Sequence, residues 1–167
     1  MRPSGSVRTY QGRGFSLDYL DNWDTFQDAD SAAVTIAPKA SLVTGQNGQT
    51  QVGYGIISAY YLPPDRRPNL QRDTEALLKQ LMDADPAMRR TGQARGVRVG
   101  GQAATLTPLE STSPYRGNTG QQRETDMLLT VARPEGLFYV VFIAPEAEWT
   151  AAQPAFDGVV SSLRFSN

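Results

Sequence analysis

The segment Leu137-Phe138-Tyr139-Val140-Val141-Phe142-Ile143 constrains the fold more than any other, because it offers no polar face to water. A strand that is apolar on both sides belongs at the centre of a sheet covered on both sides. The apolar run ends at Pro145, far short of the ~20 residues a membrane-spanning helix needs. The rest of the chain must therefore supply flanking strands and two covering layers.

Flanking strands are legible on both sides. Val7 to Tyr10 reads as a first strand, and Phe15-Ser16-Leu17-Asp18-Tyr19 alternates apolar and polar residues as a half-buried strand does. Asp21-Asn22-Trp23 closes that strand, and Ala33 to Ala37 forms another that Pro38 stops. Gln46-Asn47-Gly48-Gln49 carries an Asn-Gly turn signal, but its flanks are too polar for a tight hairpin. Val52 to Leu62 is a long strand whose Gly53 and Gly55 imply a bulge or close backbone packing. Later strands are expected at Arg89 to Val99, Ala103 to Leu109 and Arg123 to Ala132. Turns fall at Gly100-Gly101 and Pro134-Glu135-Gly136, and a loop around Ser113 to Gly117.

Two helices complete the pattern. Leu70, Leu77, Leu78 and Leu81 fall at helical spacing, with Asn69 as cap and Pro86 beyond the end. Only one stripe of this helix is apolar, so it lies on a surface. Phe156, Val159, Val160 and Leu163 mark a terminal helix, entered through Thr150 and Gln153 at capping-box spacing, with Pro154 in its first turn. Strands, helix, more strands, helix is an α+β order built on an antiparallel sheet. No repeat or linker divides residues 1–167, which read as a single domain with an ordered core from about residue 8 to 165. Phe15, Leu17, Trp23, Ile36, Leu77, Leu81, Leu129, Tyr139, Val141, Phe156 and Leu163 are expected in one core.

Composition excludes much chemistry. There is no histidine and no cysteine, which removes Ser-His-Asp triads, thiolate nucleophiles, and zinc sites built on those ligands. No Walker loop occurs, Gly12-Arg13-Gly14 lacks the third glycine of a dinucleotide fingerprint, and no G-x-S-x-G elbow is present. No cofactor is implied. Asp18, Asp21, Asp24, Asp28 and Asp30 lack the spacing and glycine of a calcium loop, so no metal site is expected. The 16 basic residues balance 17 acidic ones, giving no clustered excess for nucleic acid or for an anionic membrane. A carboxylate-based hydrolase would need a pair such as Glu110 and Glu124 to converge in a cleft. Without histidine or cysteine, behaviour between about pH 6 and 8 is expected to be flat.

The best candidate recognition residues are Tyr60, Tyr61, Arg66 and Arg67, beside Pro63. Tyrosine and arginine dominate interface hot spots. The competing expectation is that one tyrosine packs under the Leu70 helix while the arginines are solvated. A second functional reading is a small-molecule or lipid pocket between sheet and helix, opened by the missing side chains of the Gly53–Tyr61 strand against Leu77 and Leu81.

Several landmarks together resemble a known group: Gly14 to Tyr19 with Asn22-Trp23, Val34 to Pro38, a helix ending at Asp85-Pro86, Gly100-Gly101-Gln102-Ala103, Gly136 to Glu146, Pro154-Ala155-Phe156, and Ser162 to Phe165. The chain resembles the Mog1/PsbP-like fold. More narrowly, it is similar to the C-terminal domain of bacterial Ste24-type zinc metalloproteases with tetratricopeptide repeats. The resemblance implies a central antiparallel sheet with helices on its faces, acting as a non-catalytic accessory or protein-interaction module of an exported or envelope-associated parent. The H-E-x-x-H signature of such proteases has no counterpart here, so no catalytic residue carries over.

Overall fold

In the computed structural model, residues 5–27, 32–44, 48, 50–65, 67–117 and 120–166 are described. Their strands are β1 (Val7–Gln11), β2 (Phe15–Leu20), β3 (Asp24–Phe26), β4 (Val34–Ala37), β5 (Leu42–Thr44), β6 (Thr50–Val52) and β7 (Gly55–Tyr61). Helix α1 (Leu70–Ala84) precedes β8 (Arg89–Arg90), β9 (Arg95–Val99), β10 (Gln102–Gly117), β11 (Gly120–Arg133) and β12 (Gly136–Pro145). Helix α2 (Trp149–Ser162) and β13 (Arg164–Phe165) end the chain.

An antiparallel sheet in the order β3-β4-β7-β12-β11-β10-β8, with β9 also on β10, forms the middle layer. Strand β12 lies inside it between β7 and β11, as its two apolar faces demand. A small sheet, β1-β2-β13, and helix α2 cover one face; α1 covers the other. None of the described helices is long and apolar enough to cross a membrane.

The alternation of β12 divides its side chains between two clusters. Phe138, Val140 and Phe142 meet Phe15, Leu17, Trp23 and Phe156, whereas Leu137, Val141 and Ile143 meet Leu77 and Leu78 of α1. The core is thus two layers separated by the sheet, not the single cluster expected. Leu81 and Tyr139 lie at the margin of the α1 layer, only partly buried. Asn69 caps α1 as its position suggests, its side chain accepting from the Arg72 N–H.

Four local expectations are corrected or refined. Arg89 to Val99 is not one strand but β8 and β9, separated opposite Pro108. The Pro108 carbonyl accepts from the Thr91 N–H at 3.1 Å, so its ring nitrogen, which has no hydrogen to donate, faces the same gap. The segment Ser113 to Gly117 is strand rather than loop, with a register shift between Thr112 and Arg116 that accommodates Pro114. The flanks of the Asn-Gly signal do pair, as β5 with β6; Asn47 itself lies outside the described residues. Helix α2 starts at Trp149 after a short 3₁₀ turn, and its N-cap Glu148 makes no side-chain cap bond. Pro154 consequently sits inside the helix, where its missing N–H leaves the Thr150 carbonyl without its i+4 donor.

Candidate functional site

Tyr60 and Tyr61 are adjacent in β7 and so project to opposite faces of the sheet. Tyr60 packs on Phe138, ring centroids 5.6 Å apart, and its hydroxyl donates to the Arg13 carbonyl at 2.5 Å. Tyr61 joins the α1 cluster beside Leu70, matching the structural role weighed against recognition. The Arg67 N–H donates to Asp65 Oδ1, and its carbonyl accepts from Arg72 Nη2. Arg66 lies outside the described residues. Tyr60 and Tyr61 therefore do not share a surface.

Tyr60 instead gathers residues from two turns. Gly14, with φ +80°, has no side chain, and a Cβ there would lie 2.4 Å from Glu135 Oε1 and 3.1 Å from the Tyr60 hydroxyl. That absence lets the β1–β2 and β11–β12 turns close on the end of β7. A recess of about 310 Å³ results, walled by Tyr10, Phe15, Tyr60 and Leu62, with Arg13 and Glu135 at its rim. Two buried polar atoms in its lining, Ser58 Oγ and Glu135 Oε2, have no hydrogen-bond partner. Burial, and then the Glu135 charge, push the Tyr60 phenol up to about 12, so it remains a donor across the physiological range. Leu62 is 72% exposed and borders a second recess with Pro63, Pro68 and Pro134. Sequence reasoning missed Arg13, Leu62 and Glu135; the available signal was the pair of glycine turns.

The room left by Gly53 and Gly55 is taken by protein. A Cβ on Gly53 would fall 2.3 Å from the Tyr115 ring, and one on Gly55 would fall 2.5 Å from Ala37 Cβ. The pocket expected against Leu77 and Leu81 therefore loses its basis, since both leucines belong to a packed layer.

The acidic residues are also rearranged. Glu110 and Glu124 pair with Thr125 and Ser111 respectively, which sends them to opposite faces of the sheet, so they form no hydrolase pair. Glu110 is held by Arg89 and Arg123, and chiefly the Arg89 hydrogen bond lowers its pKa. Glu124 lies instead with Asp126 under the C-terminal end of α1, 8% and 1% exposed. Burial is the chief force raising both carboxyls above their ordinary range, reinforced by Asp126 for Glu124 and by Asp85 for Asp126. Asp126 is pushed up to about 7, inside the interval where the composition alone implies no titrating side chain. Among the described residues no three ligating side chains are arranged to hold a metal ion.

This architecture defines a PsbP-like α+β fold. The chain is similar to the solution structure of cyanobacterial PsbP (CyanoP) from Synechocystis sp. PCC 6803, with a TM-score of 0.65 at 15% identity, covering 98% of this chain and 94% of that one. A crystal structure from Bacteroides thetaiotaomicron VPI-5482 matches with a TM-score of 0.52 at 14% identity, covering 98% of this chain and 49% of that one. No protein-family model matches the sequence, and no curated protein matches it. Likeness at such identities speaks for the fold.

Proposed function

We propose that the chain is a non-catalytic accessory domain that docks a protein partner at the Tyr60 end of its sheet. The observation carrying this reading is Leu62, whose 72% exposure places a large apolar side chain in water among Pro63, Pro68 and Pro134. An aromatic recess with a charged rim lies alongside, the combination of apolar anchor and polar edge typical of an interface. A photo-crosslinking residue in place of Leu62, in cells of the source organism, should give one discrete protein adduct. Glu135→Arg in the same chain should abolish that adduct, and the same probe at exposed Lys79 should give none. Equal labelling from both positions would reject the reading.

The narrower proposal is that the domain works as the C-terminal module of an envelope Ste24-type metalloprotease. It is supported by the run of landmarks from Gly14 to Phe165. An upstream H-E-x-x-H helix in the same reading frame tests it, and a frame holding no protease would reject it. A second reading, a small amphipathic ligand in the Tyr60 recess, is favoured by the unpartnered Ser58 Oγ and Glu135 Oε2. Thermal-shift screening with and without Ser58→Val separates the two, because a bound ligand raises the midpoint only of the chain that holds it.

A further inference from the structure

Helix α1 rests on a surface that changes character along its length. Its middle covers Leu109, Leu128 and Leu137, and Thr74 meets Thr130 Oγ1 at 2.8 Å. Beneath its last turn lie Asp126 and Glu124, two residues apart on β11 and so on the same face. Asp126 is the sharper anomaly. It is 1% exposed, and its carboxyl oxygens meet no donor except the neighbouring Glu124 carboxyl, with which they share a hydrogen bond only when one of the two is protonated.

Among the described residues, the groups around Asp126 offer it no compensating charge. On its own strand the neighbour is Glu124. From the end of α1 comes Asp85, whose Oδ2 accepts from Ser111 at 2.5 Å and whose Oδ1 accepts from the Ala87 N–H. Strand β10 places Leu109 and Ser111 there, and β12 places Ile143 and Pro145 opposite Asp126 and Glu124. Among the described residues a cation on this face is Arg90, in register with Asp126 through Leu109 but two strands away, and it is bonded to Glu75 at 2.9 Å. Lys79 is exposed and paired with Asp83. Helix α1 also points its C-terminal carbonyls, the negative end of its dipole, toward this corner. A buried carboxylate facing two more carboxyls and a helix C-terminus is strongly disfavoured. A proton relieves it.

We propose that Asp126 and Glu124, facing Asp85, form a proton-operated latch: the proton holds the last turn of α1 and the Pro86–Arg90 segment on the sheet, and its loss to solvent releases them. The tether is small. It consists of the Ser111–Asp85 bond, the partly buried Met88, the two-residue strand β8 and the ion pairs of Arg89 with Glu110 and Arg90 with Glu75. Lifting that segment admits water to the new charge. It also widens the cleft of about 710 Å³ that Ala84, Asp85, Ser113 and Tyr115 border, so pH would gate access to that cleft.

The direction follows from linkage. With its pKa raised in the folded state, Asp126 lends stability that is full below the unfolded aspartate value of about 3.9. That stability is lost as pH rises through the folded value. Hydrogen exchange of the Leu81–Arg90 amides, corrected for intrinsic rates, should show opening about tenfold more frequent at pH 8 than at pH 6, a shift of the size one linked proton gives. In the double variant Asp126→Asn/Glu124→Gln, which keeps both shapes but can ionise at neither position, opening should vary less than about twofold over that range. Should that variant fail to fold, ¹³C-carboxyl titration of the unaltered chain decides, with one aspartate expected to titrate above about pH 6. Carboxyls that all titrate below about pH 5 would overturn the latch. So would opening that ignores pH in the unaltered chain, or an equal slope in the double variant.

Discussion

Replacing Phe156 by alanine should destabilise the domain by about 4–5 kcal/mol, the upper part of the range for removing a buried phenylalanine. The side chain is 4% exposed, so nearly all of its surface is withdrawn from water. Its ring lies 5.2 Å from Phe142, 5.3 Å from Trp149, 6.0 Å from Tyr54 and 6.4 Å from Trp23, centroid to centroid. Each such pair contributes about 0.5–1.5 kcal/mol beyond burial, although four contacts of one ring do not add independently. Those partners come from β12, α2 and the segments around β3 and β7, so local collapse cannot refill the hole cheaply. In a domain of this size about 1 kcal/mol moves Tm by about 2–4 °C, so the midpoint should fall by about 8–20 °C. Urea unfolding followed by tryptophan fluorescence gives the free energy, provided the slope with denaturant stays unchanged. A loss below about 1 kcal/mol would refute the argument, because it would mean that α2 sits on the sheet without anchoring it.

Gly55→Ala should cost more than about 2 kcal/mol, since overpacking alone costs about 1–3 and backbone strain adds to it. Its φ is +146°, and the new Cβ would stand 2.8 Å from the Ile36 carbonyl; Gly96→Ala, which meets open space, is the control and should be near neutral by chemical denaturation. For Glu110, whose pKa is lowered in the fold, the stabilisation is present above the unfolded glutamate value and disappears as pH falls through the folded one. The stability gap between the parent chain and Glu110→Gln should therefore be widest at neutral pH, shrink in high salt and close in acid; a gap that survives at pH 2 would contradict the ion-pair origin.

The sheet was legible because its period is written in single residues. The alternation of Phe15 to Tyr19 and the double-faced apolar run of β12 state which sides are covered. The breaks were less legible, because they depend on neighbours distant in sequence. Within Arg89–Val99 Gly92 alone hints at a gap, because the residues that define it, Thr107 and Pro108 facing the four from Thr91 to Ala94, lie on another strand. The recognition site was half legible: tyrosine at position 60 stood out by type, but Glu135 reaches it only through the vacancy at Gly14. The buried carboxyls were illegible, because Glu124 and Asp126 alternate with Arg123 and Thr125 as residues of a water-facing strand would. That α1 ends above them is a fact of topology.

The interruption opposite Pro108 bears on how the molecule behaves in a crowd of its own copies. An open sheet invites further strands along any long, flat border where N–H and C=O groups stand unpaired. Here one border is divided between the two residues of β8 and the five of β9, with Arg89, Arg90, Arg95 and Arg98 along it. The other border is β3, three residues long. Neither offers a long run on which a neighbour could zip in register, so the apolar central sheet presents poor templates along these two borders. The break is wider than one missing donor, since the four residues from Thr91 to Ala94 face only Thr107 and Pro108, so the border stays interrupted even if Pro108→Thr restores an N–H.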